Sequence, residues 1–293
     1  MIGIAQYNFE TGRYSRSIED IACGLCTQTE LENMRFIGLE RAYTDNERTI
    51  NDMIYAACNG ILQDTRPDLV IIAHSLPFIR ANGSDIMPYA EGVPVIILSG
   101  LPCVIMHRAI MTASKMIRAG LYDSVLVIGA DKAYSDRERI FFGTVMSDCA
   151  IALLIRDNCM EHSILASHVS TTVIAPYGEN SDDNDIKKFR ASNVQMMREA
   201  MRVCREKAGL DKVDYYVPHT SNGKFWDAVS DLCRIERSRF LDGNIRMTGH
   251  MNSHDSFYHY MCLCEDGTIK PGMNVMLINP GFGGSQGCTL IRR

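Results

Sequence analysis

The chain alternates short, unbroken apolar runs with longer stretches in which apolar residues recur every three or four positions. The runs at residues 69–73 (LVIIA), 95–98 (VIIL) and 124–129 (SVLVIG) are apolar on both faces, so they predict strands buried on both sides. Residues 2–7 and 148–155 (DCAIALLI) complete a first set of strands. Residues 49–63 put Ile50, Met53, Ile54, Ala57 and Ile61 on one face and predict a helix, broken at Arg66-Pro67-Asp68. Residues 17–26 and 103–120 predict two more, the second closed by Gly120.

The order then repeats. Residues 164–174 predict a strand and 178–185 an acidic loop. A helix at 192–208 ends at Gly209. The string Val213-Asp214-Tyr215-Tyr216-Val217-Pro218-His219-Thr220 echoes residues 67–75, and a helix at 223–233 follows. The loop Met247-Thr248-Gly249-His250 leads into a helix at 253–265, and strands at 274–279 and 287–291 parallel those at 124–129 and 148–155. A degenerate repeat of about 140 residues, built of buried strands and covering helices, predicts an α/β fold of two similar fused halves. The expected division is 1–158 and 159–293, without a low-complexity linker.

Composition narrows the function. Of 293 residues, 46% are hydrophobic and 22% charged, which excludes a disordered or fibrous chain. The net charge of −5, with Lys and Arg scattered, argues against nucleic acid as a partner. No apolar run reaches the ~20 residues of a membrane span. The start, Met1-Ile2-Gly3-Ile4-Ala5-Gln6, lacks the basic segment of a signal peptide. Eleven cysteines in such a chain predict reduced thiols and a cytoplasmic protein.

Cys103 is the sharpest candidate for chemistry. It follows a buried strand and the punctuation Ser99-Gly100-Leu101-Pro102, and it opens an apolar helix. A thiol there meets the positive end of the helix dipole and is exposed at a sheet edge. The alternative is a buried structural cysteine. His219 ends a buried strand and could equally be a satisfied rim histidine. His250 sits in a loop where Gly249 allows close approach, with Asn252, His254, Asp255 and His259 nearby. Metal ligation is the rival reading of that cluster. It lacks the Glu of H-E-x-x-H, and Cys23-x-x-Cys26 is a lone pair, so no metal is expected. Gly281-Phe282-Gly283-Gly284 lies between the last two strands and could bring backbone N–H groups to a substrate oxygen, or be a plain turn.

Taken in order, these residues resemble the thiolase-fold condensing enzymes, most closely β-ketoacyl synthase III, over nearly the whole chain. After Cys103 come Ala119-Gly120 and Val125-Leu126-Val127-Ile128-Gly129-Ala130-Asp131, at the family's distances from its A-C-A-G-F. Met146-Ser147-Asp148-Cys149-Ala150 resembles F-G-D-G-A. Val217-Pro218-His219-Thr220-Ser221-Asn222 is similar to V-P-H-Q-A-N, and Asp266-Gly267-Thr268-Ile269-Lys270-Pro271-Gly272 to D-G-R-I-K-P-G. The resemblance implies a thiolase-like fold with αβαβα layers.

It also implies an acyl-enzyme on Cys103, with His219 and a third residue completing the site and with Asn222, Asn252, Gly283 and Gly284 as binding or oxyanion groups. The donor would be an acyl-CoA or a phosphopantetheine-linked acyl group on an acyl carrier protein, without a permanently bound cofactor. A homodimer, or a heterodimer with a related chain, is implied as well. The chain departs from the family where G-N-T-S carries the catalytic Asn: His250 stands there. Met247-Thr248-Gly249-His250 is similar to the M-T-G-H of Cys-His-His ketosynthases. His250 and Asp255 also fit the G-H-x-x-x-x-D of acyltransferase relatives. Val104, Ile105 and Met106 replace small residues, and the chain is short between Ile79 and Val95. Acyl transfer is expected first, with decarboxylative Claisen condensation and a non-catalytic partner subunit as alternatives.

Overall fold

The computed structural model describes residues 1–75, 91–101, 103–141, 143–176 and 178–293. Residues 79–90 of the shortened stretch, and Pro102 before the candidate nucleophile, lie outside the described residues. The apolar runs form one nine-stranded sheet. Its strands are β1 (Gly3–Thr11), β2 (Leu69–Ala73), β3 (Val95–Leu98), β4 (Ser124–Asp131), β5 (Cys149–Arg156), β6 (Ser163–Thr171), β7 (Tyr215–Pro218), β8 (Asn274–Gly281) and β9 (Ser285–Arg292), in the order β7-β8-β9-β6-β1-β5-β4-β2-β3.

The order is palindromic. In each half two neighbouring strands are parallel (β2 and β4; β7 and β8), and the next two joins are antiparallel (β4 to β5 to β1; β8 to β9 to β6). The halves meet where β1 and β6 pair at Gly3 and Ser163. On the first half's outer edge β3 extends the sheet; its counterpart is one parallel bridge from Tyr216 to Phe240.

Five longer helices cover the strands: α1 (Ile50–Asp64), α2 (Ile105–Arg118), α3 (Asp183–Ala208), α4 (Gly223–Cys233) and α5 (Asp255–Glu265). Helix α1 starts in a capping box between Thr49 and Asp52 and packs Met53, Ala57 and Ile61 on the outer face of the first half. Helices α3 and α4 cover the outer face of the second, around Trp226 and Met201. Helices α2 and α5 lie between the halves, where Ile110 and Ala113 share one core with Phe257 and Tyr260. The result is the αβαβα layering that the family resemblance implies. Full burial of an Ile or Phe there contributes about 1.5–3 kcal/mol.

Each half-sheet leaves a gap for a histidine of the other half. A Cβ on Gly129 of β4 would collide with His254, and one on Gly287 of β9 would lie 2.5 Å from His107 of α2.

Three sequence expectations change. The 17–26 helix is only Ile18–Ala22, and a second helix follows at Gln28–Phe36. Residues 183–185 of the acidic loop instead open α3: Asp182 caps its first turn, and Asp183 and Asp185 meet the positive end of its dipole. The helix after Cys103 begins at Ile105, so Cys103 sits in the turn before it.

Candidate active site

Cys103 is buried and adopts a left-handed backbone, φ +64°. This conformation costs a non-glycine residue about 1–2 kcal/mol and is held only where its surroundings enforce it. Its Sγ lies 3.9 Å from Nε2 of His250. Nδ1 of His250 is 2.9 Å from Oδ2 of Asp255, the first residue of α5. The short 3-10 turn Asn252–His254 brings Asp255 back toward the loop. There the Asp255 carboxylate also accepts from the backbone N–H groups of Thr220 (3.0 Å) and Met251.

His219 follows β7. Its ring meets that of His250 edge-on, with centroids 4.4 Å apart. Its Nδ1 pairs with Ser221 Oγ at 2.8 Å, and its Nε2 lies 3.6 Å from Asp255 Oδ2.

One carboxylate therefore faces two buried imidazoles with opposite outcomes. Burial disfavours a proton on His250, but Asp255 and Cys103 outweigh it and the pKa rises to about 10. His219 is lowered to about 3 by burial and by the neighbouring His250. Asp255 loses to burial less than it gains from His250 and His219, and its pKa falls.

His107 and His259 are also buried and lowered to about 4, first by desolvation. Burial lowers His162 and His168 as well, and unfolding lets these five histidines bind protons near pH 6.5, so stability falls as pH drops below that value. His250 works oppositely: its contribution is complete below pH 6.5 and is lost as pH rises through about 10. Stability is expected to peak near pH 6.5–7 and to fall between pH 6 and 4, most steeply near pH 5, where the unfolded histidines are protonated and the folded ones are not. Urea unfolding across pH 4–10 checks this; a monotonic rise or a flat profile contradicts it.

The site opens into a cavity of about 380 Å³ lined by Cys103, His219, His250 and Asn222, with Phe282 and Arg190 also on its wall. Asn222 caps α4, accepting from Phe225 N–H at 3.2 Å. Asn252 is buried behind the loop with its amide toward Met146 Sδ, 3.5 Å away, and is not in the cavity wall. Gly283 and Gly284 form the turn after Phe282. Their φ values of +90° and +111°, and the carbonyl of Thr172 where a Gly284 Cβ would stand, require glycine. The Gly284 N–H is given to Gly281 O at 3.3 Å.

The other candidate ligands of the histidine cluster point elsewhere. His254 meets Asp131 at 3.1 Å, and His259 lies between Asn244 and Thr248. Among the described residues the one grouping close enough to hold a metal is Cys103, His219 and His250 themselves, with donor atoms within 4.8 Å.

Sequence reasoning missed the cavity wall supplied by Asn33 and Ile37, next to or within the helix Gln28–Phe36. The signal was present as a capping box, Thr27-x-x-Glu30. It also missed Asn279, at the end of β8, which donates to the Cys103 carbonyl at 2.8 Å.

A duplicated α/β body, with a cysteine elbow from one half facing histidines from the other, defines the class of thiolase-fold condensing enzymes. The sequence matches 3-oxoacyl-[acyl-carrier-protein] synthase III over residues 102–172, and that family's C-terminal part over residues 204–293, together more than half of the chain. The β-ketoacyl-[acyl-carrier-protein] synthase III of Listeria welshimeri is 27% identical over 62% of this chain and 61% of its own length. The chain thus matches about three fifths of that relative.

Among solved structures, the 3-oxoacyl-[acyl-carrier-protein] synthase III of Aquifex aeolicus superposes with a TM-score of 0.82 at 20% identity, covering 100% of both chains. ChlB3, titled an acyltransferase, gives 0.85 at 16% identity over 99% of this chain and 97% of its own. At these identities the structural likeness speaks for the fold. The protein belongs to the 3-oxoacyl-[acyl-carrier-protein] synthase III family.

Proposed function

We propose that this protein is an acyltransferase working through a thioester on Cys103. The donor is an acyl-CoA or an acyl group on a carrier protein, and the acceptor is a nucleophile distinct from a malonyl carbon. The observation that carries the reading is the run Cys103 Sγ–His250 Nε2 (3.9 Å) and His250 Nδ1–Asp255 Oδ2 (2.9 Å).

The Cys103 thiolate attacks the donor carbonyl, and the leaving thiolate takes the proton of the His250 imidazolium. The acyl-enzyme then faces a neutral His250. Its Nε2 removes the acceptor's proton as the acceptor attacks, and Cys103 leaves as thiolate. The Cys103 N–H and the glycine turn at Gly283 are the proposed oxyanion donors; loss of one such donor costs about 3–4 kcal/mol.

Decarboxylative condensation needs two neutral N–H donors facing an enolate, an imidazole with either an amide or a second imidazole, and here the second would be His250. Asp255 argues against it, because it favours the charged form of His250. The intact Cys103–His250–Asp255 set argues equally against a partner subunit without catalysis. Preloaded acyl-enzyme should be discharged by alcohols, amines or a carrier thiol and should release no CO₂ from a malonyl thioester. CO₂ release would replace this reading with condensation. About one equivalent of zinc by elemental analysis would replace both with a metal site at Cys103, His219 and His250.

A dimer through β3 is part of the proposal. This strand is the sheet's edge, and its Ile97 is 49% exposed. Sedimentation should give twice the chain mass of 32.8 kDa, and a monomer at micromolar concentration would refute it. Placement in the cytoplasm fits eleven unpaired cysteines and the absence, among the described residues, of a helix long and apolar enough to cross a membrane.

A further inference from the structure

Beneath the elbow lies a directed chain of hydrogen bonds. The Cys103 carbonyl can only accept, so the group facing it at 2.8 Å is the Asn279 amide NH₂. Asn279 Oδ1 then points the other way and accepts from Ser256 Oγ (2.6 Å) and from His107 Nε2 (3.0 Å). With its Nε2 donating, neutral His107 accepts at Nδ1 from the Thr289 hydroxyl, 2.8 Å away. All five residues are buried, and desolvation favours the neutral imidazole this order requires. Gly287 leaves the space in which the His107 ring sits. Asn279, Ser256 and Thr289 belong to the second half, and Cys103 and His107 to the first.

We infer that Asn279, locked by His107 and Ser256, is a positioning residue for the nucleophile: it holds the Cys103 carbonyl and thereby keeps the left-handed elbow that aims Sγ at His250. Fixing that carbonyl fixes ψ of Cys103. Without it the residue can relax toward an unstrained backbone and turn Sγ away. The amide, the imidazole and the Thr289 hydroxyl each have one arrangement that satisfies all partners, so removing the amide or the imidazole loosens the carbonyl.

This inference rests on the acyl-enzyme reading for its catalytic consequence but not for its geometry, and the test separates the two. The variants are Asn279→Ala, His107→Leu and His107→Gln. The readouts are the melting temperature, alkylation of Cys103 by iodoacetamide, and the rate of acyl-CoA loading at saturation with its half-saturating concentration.

Asn279→Ala and His107→Leu are expected to slow both alkylation and saturated loading about tenfold or more, with half-saturation within about twofold, because a misplaced nucleophile affects the bond-forming step. His107→Gln can still donate to Asn279 Oδ1 and should recover most of the rate. Unchanged rates in the folded variants, with only a lower melting temperature, overturn the inference. So does a His107→Gln protein as slow as His107→Leu. If Asn279→Ala does not fold, the two His107 variants decide alone. If wild type loads no acyl group, the acyl-enzyme reading fails while alkylation still decides the inference.

Discussion

Incubation with a panel of acyl-CoAs will add the mass of one acyl group to the wild-type protein, and Cys103→Ala will add none. Ten other cysteines remain in the variant, so the result discriminates the nucleophile from bulk thiol chemistry. Burial raises the pKa of Cys58, Cys149, Cys204 and Cys288, at Cys204 against the opposing pull of Lys207, leaving them poor nucleophiles. Cys103 alone among the described cysteines faces an imidazole protonated up to about pH 10. Turnover in the variant should fall by about 10⁴–10⁶-fold, the loss typical when a covalent nucleophile is removed. Intact-protein mass spectrometry is the check. Loading that persists in Cys103→Ala would move the chemistry to another residue.

Asp255→Asn should be the next most damaging change. The carboxylate accepts from Met251 N–H on one oxygen, and on the other meets Thr220 N–H and His250 Nδ1. An amide keeps one acceptor. If that oxygen stays with Thr220 N–H and His250 Nδ1, an NH₂ is forced against Met251 N–H. If the amide turns, its NH₂ faces His250 Nδ1 and selects the tautomer with the proton on Nε2, which cannot take a proton from an acceptor. Transfer should fall by about 10³–10⁴-fold, as when the orienting acid of a nucleophile–His–acid set is neutralised.

The charge effect has a separate signature. Without Asp255, only Cys103 opposes burial, and the charged form of His250 loses its main support. With His250 no longer held protonated by Asp255, alkylation of Cys103 in Asp255→Asn should fall behind wild type by more at pH 7 than at pH 9. Parallel profiles for the two proteins would remove Asp255 from the mechanism.

The buried strands were legible because β2, β4 and β5 are apolar on both faces, a pattern that surface strands lack. The repeat was legible for the same reason. Helix Gln28–Phe36 was not, since its single fully buried residue is Met34 and it has no apolar stripe to read. The short start assigned to α3 has a similar cause: its first turn is Asp and Asn, which look like a loop until their capping role is seen.

Cys103, His219 and His250 could be proposed from punctuation and spacing. Asp255 fitted a spacing, but its return toward His250 depends on the turn at Asn252, whose φ of +54° no periodicity announces. Asn279 and His107 were invisible because they are 172 residues apart and meet only when the halves pack.

The reciprocal insertion of His254 over Gly129 and His107 over Gly287 makes the joint between the halves a keyed one. A slide of one half-sheet past the other would drive an imidazole into a neighbouring Cβ or backbone, so the two bodies have a single seating. The nucleophile rides on one body and its base and acid on the other, and the key thereby sets the gap between Sγ and Nε2 as a machined stop sets the gap between two jaws.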